Sequence, residues 1–279
     1  MHRFFSLIII FTLSSAAWAQ SLPSVDAFFP DPAFGGVDLS PDGKRLAITD
    51  FRGDERALLI APVDNIKDAK RMPLGDVDVI WARWATNERL LISATVKRDI
   101  RLPYYAHARV DNKLTGTITD VPYSRLFSIN ADGSGLAVMF ANGNKRVLAN
   151  LNLSRVEDML PQDPDHVLIP AKDHRMSLYK VNILTGDAEK IERGGNTTFG
   201  WKVNRDGDPV VRFDISGARE HFTIYVKAPE DRKWTRLARV REEDLEKFSP
   251  LAQTRDPNIY LVSATLEGED RASIYKYDL

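Results

Sequence analysis

A chain of 279 residues with a formal net charge of −1 and no cysteine is long enough for one large all-β domain or two average ones. The near-neutral charge argues against a phosphate-binding surface, so nucleic acid is not an expected partner. Disulfides, thiol nucleophiles and cysteine-ligated zinc are excluded, and an exported fold built this way must rest on its core.

The chain opens with a basic Met1-His2-Arg3 and an apolar run from Phe4 to Leu13. That run has the length of a signal-peptide core and is too short to span a bilayer. Ala17-Trp18-Ala19 is a small-x-small cleavage signal, so residues 1–19 are expected to be removed and the mature chain to begin at Gln20. Export without cysteine favours a bacterial periplasmic or secreted protein, with no membrane contact after cleavage. Residues 20–36 form a lead-in whose prolines and glycines disfavour regular structure.

From Val37 the chain repeats itself. Val37 and Leu39 alternate with Asp38, the period of a half-buried strand, and Leu46 and Ile48 restart that alternation. Between them, Ser40-Pro41-Asp42-Gly43 supplies a preset φ, a side chain that can bond its own backbone, and a residue free to adopt positive φ. Comparable strand-turn-strand units turn at Asn87, Asp132, Asp165, Asp206 and Asp256, at intervals of about 33 to 50 residues. Predicted strands include 57–63, 77–81, 104–110, 126–129, 136–140, 146–151, 156–160, 166–170, 177–182 and 198–203, then 209–213, 222–226, 259–263 and 273–277. The one expected helix is Glu242 to Lys247. The spacing predicts an all-β β-propeller over residues 37–279, with about six four-stranded blades, incomplete or open. A sandwich of unrelated hairpins is the competing architecture.

The segment Asp31 to Ala47, with Asp163-Pro164-Asp165-His166-Val167-Leu168 and Ala272 to Leu279, resembles the propeller of bacterial prolyl oligopeptidase-family serine peptidases. In that family an α/β-hydrolase domain follows the propeller and carries the catalytic serine, aspartate and histidine. The resemblance therefore implies the non-catalytic front of such an enzyme, whose role is to gate short peptides. No catalytic residue of the family has a matching position here.

The remaining residues offer few alternatives. A nucleophile elbow needs Gly-x-Ser-x-Gly, which the chain lacks. Ser134 and Ser216 read as turn residues. His107, His166, His174 and His221 have no helical His or Glu partner with metal-ligand spacing. Asn204 to Asp208 begins like a calcium loop, but no glutamate follows at the required spacing. Trp81, Trp84, Trp201 and Trp234 are expected between blades. No cofactor and no metal is expected. Glu242 and Glu243 are the candidate substrate-binding residues: some dipeptidyl-peptidase relatives hold a substrate's amino end with paired propeller glutamates. The competing reading is that both carboxylates favour a helix start.

Two functions follow as expectations. One is a substrate-gating propeller, not itself an enzyme, whose partners would be a peptide and a separately encoded hydrolase domain. The other is a stand-alone periplasmic propeller that binds a protein or glycan.

Overall fold

The computed structural model describes residues 32–278, except 54, 76, 102–116, 219, 229–230 and 232. The predicted signal peptide, the strand at 104–110 and His107 lie outside the described residues. Sheet one is β1 (Phe34–Leu39), β2 (Arg45–Asp50), β3 (Arg56–Pro62) and β4 (Lys70–Gly75). Sheet two is β5 (Asp78–Trp84), β6 (Arg89–Arg101), β7 (Thr117–Asn130) and β8 (Ala137–Val138). A short β9 (Asn152–Leu153) pairs parallel with β7. Sheet three is β10 (His166–Lys172), β11 (Met176–Asn182) and β12 (Ala188–Arg193). Sheet four is β13 (Thr198–Val203), β14 (Pro209–Ile215), β15 (His221–Val226) and β16 (Thr235–Arg241). Sheet five is β17 (Phe248–Gln253), β18 (Ile259–Ala264) and β19 (Ser273–Asp278).

An isolated four-stranded sheet has two faces to cover, and here successive sheets cover each other. Ala47, Leu58 and Ile60 of sheet one meet Trp84, Leu90, Ile92 and Ile129 of sheet two. Leu91 and Leu126 of sheet two meet Val167, Ile169, Tyr179 and Val181 of sheet three. Leu168 and Leu178 of sheet three meet Trp201 of sheet four. Val210, Val211, Ile224 and Val226 of sheet four meet Tyr260 and Val262 of sheet five. Because strand side chains alternate between faces, a middle strand in such a stack must be apolar at every position. Leu90-Leu91-Ile92 shows this: its first and third residues face sheet one and its second faces sheet three. Val167-Leu168-Ile169 divides the same way between sheets two and four. This serial stacking of antiparallel sheets is a β-propeller arrangement. Trp84 and Trp201 lie buried between sheets, and Trp81 and Trp234 pack against the same cores, as expected.

Three details depart from expectation. About six blades were expected, and the described residues form five sheets. The predicted second and third repeats are one sheet, because β6 and β7 pair along almost their whole length, from Arg89↔Asn130 to Arg101↔Thr117. The predicted strand 146–151 is instead a helical turn, α1 (Lys145–Leu148). Asn144 caps it by accepting the Arg146 and Val147 N–H groups on Oδ1, at 3.0 and 3.1 Å. The predicted strand 156–160 is reduced to a single bridge, Asp158↔Leu168. There the Asp158 carboxylate accepts the Leu160 N–H at 2.7 Å, and Leu160 takes a φ of 47°, which ends the ladder.

The opening hairpin forms as read, with β1 beginning at Phe34 inside the expected lead-in. Arg45 N–H bonds Ser40 Oγ at 2.9 Å, Ser40 Oγ donates to Asp42 at 2.6 Å, and Gly43 has a φ of 72°. Its facing differs from a simple apolar-in pattern. Val37 and Leu39 are 59% and 52% exposed. Asp38 turns toward sheet two, where Oδ2 accepts the Trp84 N–H at 2.7 Å and its carbonyl accepts Trp84 Nε1–H at 3.3 Å. Asp42 N–H bonds Asn87 Oδ1 at 2.9 Å, so two of the repeating turn residues touch.

Candidate functional site

A cleft of about 620 Å³ opens where sheets three, four and five meet. Arg155, Glu157 and Asp158 line it from the segment before β10; Phe199, Trp201, Lys202 and Val203 from β13; Phe213 and Phe222 from β14 and β15; and Leu251 from β17. The Phe199 ring contacts Phe213 and Phe222 at centroid distances of 5.9 and 5.4 Å, which gives the cleft an aromatic floor.

Its polar part is built around Arg155. Nη1 donates to the Phe199 carbonyl at 3.2 Å, and Nη2 lies 2.8 Å from Glu157 Oε2. Gly200 makes room for this arrangement: a Cβ there would sit 2.8 Å from Arg155 Nη2. The Arg155 side chain is nevertheless 48% exposed, whereas that of Glu157 is 11% exposed. Burial pushes the Glu157 carboxyl above the usual carboxylate range, against the opposing pull of Arg155, the Trp201 backbone N–H and Lys202. The Trp201 indole N–H is buried with no hydrogen-bond partner among the described residues. An arginine edge beside an aromatic surface suits a ligand that carries an anionic or carbonyl oxygen next to an apolar group.

The residues singled out in the sequence lie elsewhere. Glu242 and Glu243 sit in the 3₁₀ turn Glu242–Lys247, where a helix was expected. Exposed Glu243 has Arg241 Nη1 at 3.4 Å; the Glu242 side chain lies outside the described residues. Ser134 Oγ bonds Asp132 Oδ1 at 2.7 Å in a turn. His166 Nδ1 lies 2.9 Å from Asp163 Oδ1, His174 is in a bend, and His221 begins β15. Asn204 Oδ1 accepts the Asp206 and Asp208 N–H groups at 3.0 and 2.9 Å, so the calcium-like loop spends that oxygen on its own turn. Arg155, Glu157 and the three phenylalanines were not readable as a site. Phe199 is 44 positions from Arg155, and only the stacking of sheets brings the two together.

No family model matches the chain, and no curated protein matches it. Solved structures do. An acylaminoacyl peptidase from Pyrococcus horikoshii aligns at 16% identity with a TM-score of 0.46, over 88% of this chain and 38% of that one. TolB from Acinetobacter baumannii aligns at 10% identity with a TM-score of 0.42, over 86% and 55%. An oligogalacturonate lyase from Vibrio parahaemolyticus aligns at 12% identity with a TM-score of 0.49, over 89% and 67%. The chain thus spans well under half the length of the peptidase it is similar to. Among the described residues no helix is long and apolar enough to cross a membrane.

Proposed function

We propose that this chain is the non-catalytic propeller portion of an exported prolyl oligopeptidase-like serine peptidase, and that it selects short peptides for a hydrolase domain. The observation that carries this reading is the solvent-open cleft at the junction of sheets three, four and five, with Arg155 at its edge and Phe199, Phe213 and Phe222 beneath. Its volume falls within the roughly 300–1,000 Å³ of small-ligand sites, and its mix of aromatic surface and fixed donors suits peptide. The order of repeat motifs in the sequence supports the family assignment, and the leader sequence supports export. The test is to sequence the DNA beyond the Leu279 codon. A reading frame with a Gly-x-Ser-x-Gly elbow is expected, in frame or shifted, and its absence refutes the gating role. Cleavage of a dipeptidyl chromogenic substrate by the purified chain refutes the non-catalytic assignment.

A second reading, a stand-alone periplasmic propeller that binds a protein partner, draws on the apolar face of sheet one. Phe34, Val37 and Leu39 on β1 are 44%, 59% and 52% exposed, and exposed apolar residues that join into a large patch mark an interaction surface. A secreted chain with no hydrolase gene beside it favours this second reading.

A further inference from the structure

We propose that the Arg155 cleft binds the C-terminal end of a peptide, with the terminal carboxylate on the Arg155 guanidinium and an apolar or aromatic last side chain on Phe199, Phe213 and Leu251. This inference rests on the peptide-handling role proposed for the same cleft and specifies which end of the peptide it takes.

Both terminal nitrogens of the guanidinium have a partner, yet the side chain is half exposed and keeps donors to spare. An arginine side chain has five N–H donors in a fixed fork. One is spent on the Phe199 carbonyl at 3.2 Å, and Nη2 lies 2.8 Å from Glu157 Oε2. The bare backbone at Gly200 leaves room for it, since a Cβ there would sit 2.8 Å from Nη2, and the side chain is 48% exposed. Such a fork is preorganised for a two-oxygen acceptor. Two anions stand nearby. Glu157 is largely buried on the inner side. The Asp158 carboxylate accepts the Leu160 N–H at 2.7 Å. Lys202 adds a second cation that faces Glu157.

The apolar surface decides which carboxylate fits. Arg155 bonds the carbonyl of Phe199 itself, so the guanidinium and that aromatic ring belong to adjoining parts of one cleft. A C-terminal residue carries its carboxylate and its side chain on the same Cα, which matches that adjacency. An internal Asp or Glu carries its carboxylate at the end of the side chain, with no apolar group beside it.

The test is isothermal titration of the purified full-length chain with acetyl-Ala-Ala-Phe as free acid, with its C-terminal amide, and with acetyl-Ala-Ala-Ala acid. The free acid of the Phe peptide is expected to bind roughly tenfold or more tighter than the amide, the size of a charge-assisted pair. Arg155→Gln is expected to erase the acid-over-amide preference, and Arg155→Lys to keep part of it. Phe213→Ala is expected to weaken acid and amide alike, with circular dichroism and melting curves showing that each variant is folded. Equal binding of acid and amide, no binding of either at millimolar peptide, or an intact preference in folded Arg155→Gln overturns the proposal. These outcomes differ from failure of the gating role, which shows as a missing hydrolase frame while the acid preference remains.

Discussion

Arg89→Met measures what a buried guanidinium contributes beneath the turn that follows β7. Arg89 is 5% exposed and holds four neutral acceptors. Nε donates to Ser128 Oγ at 2.9 Å and to the Ile183 carbonyl at 3.1 Å; Nη1 donates to Asn130 Oδ1 at 2.7 Å and Nη2 to the Gly135 carbonyl at 2.5 Å. Burial lowers its pKa below the ordinary arginine value. Two effects oppose each other. Methionine removes a desolvated charge and keeps much of the apolar stem contact, which stabilises. Against this, Asn130 Oδ1 and the Gly135 carbonyl lose their guanidinium donors, at about 1–3 kcal/mol for each acceptor left without a replacement. The Ile183 carbonyl keeps its bond from Ser128 Oγ, so it contributes little. The sum favours a net loss of about 2–4 kcal/mol. Guanidinium chloride unfolding followed by tryptophan fluorescence should show a lower midpoint with an unchanged slope. A variant as stable as the parent, or more stable, would show that the guanidinium is merely tolerated, and the reasoning would fail.

Asp50 is nearly buried beside Arg52 Nε at 2.8 Å and Arg71 Nε at 3.5 Å, and its pKa falls from 3.8 to about 2, chiefly through the Arg52 hydrogen bond. A depressed folded pKa contributes stability that is full above 3.8 and is lost as pH falls through about 2. Because Arg52 and Arg71 are half-exposed, the linkage ceiling of about 2.5 kcal/mol is discounted to about 1 kcal/mol. Unfolding midpoints from pH 6 to pH 2 should therefore fall more steeply in the parent than in Asp50→Asn, and parallel curves would contradict this. Gly186 has a φ of 81°, and a Cβ on it would sit 2.1 Å from the Val138 carbonyl oxygen; at Gly133, with a φ of 88°, the nearest atom is Met72 Sδ at 3.4 Å. Gly186→Ala should cost about 3 kcal/mol or more and Gly133→Ala about 1 kcal/mol, as read by thermal melting; equal losses would mean that backbone conformation alone matters. Asp38→Ala should cost about 1–3 kcal/mol by leaving the Trp84 N–H unpaired, while Asp38→Asn retains an acceptor and should stay within about 1 kcal/mol in urea unfolding.

What the sequence made legible follows from range. The hairpin at Ser40 to Gly43 is decided by residues within five positions of each other, and the turn forms as read. The strand runs at 90–92 and 167–169 are legible because burial on both faces leaves no polar position. Facing is harder. Val37 and Leu39 look like the buried side of β1, yet the buried contact belongs to Asp38, because a backbone N–H of the next sheet needs an acceptor there. The merging of two repeats was hidden because a turn signal at Asn130 to Gly133 ends β7 just as it would end a first strand, and turn residues carry no label of which strands they join. The helical turn after Asn144 did leave a signal, an Asn cap ahead of Lys145-Arg146-Val147-Leu148, which the apolar run through Leu151 obscured.

The cleft lies at an irregularity in the repeat. Sheets one, two, four and five each begin with a strand of six or seven residues: β1, β5, β13 and β17. In sheet three that position holds only the Asp158↔Leu168 bridge. The Glu157 N–H and the Asp158 carbonyl still bond Leu168, at 2.7 and 2.9 Å, but the Asp158 side chain then turns the chain at Leu160. A full ladder there would have continued the strand alternation past Leu160. Arg155, three residues before the bridge, donates to the Phe199 carbonyl on β13, and the largely buried Glu157 carboxylate lies beside it. The residues of that interrupted strand thus set a charged group against an aromatic surface. Asp158→Ala, which cannot accept the Leu160 N–H, should cost about 1–3 kcal/mol, read as a lower urea midpoint, and an unchanged midpoint would refute the role of that carboxylate in ending the ladder.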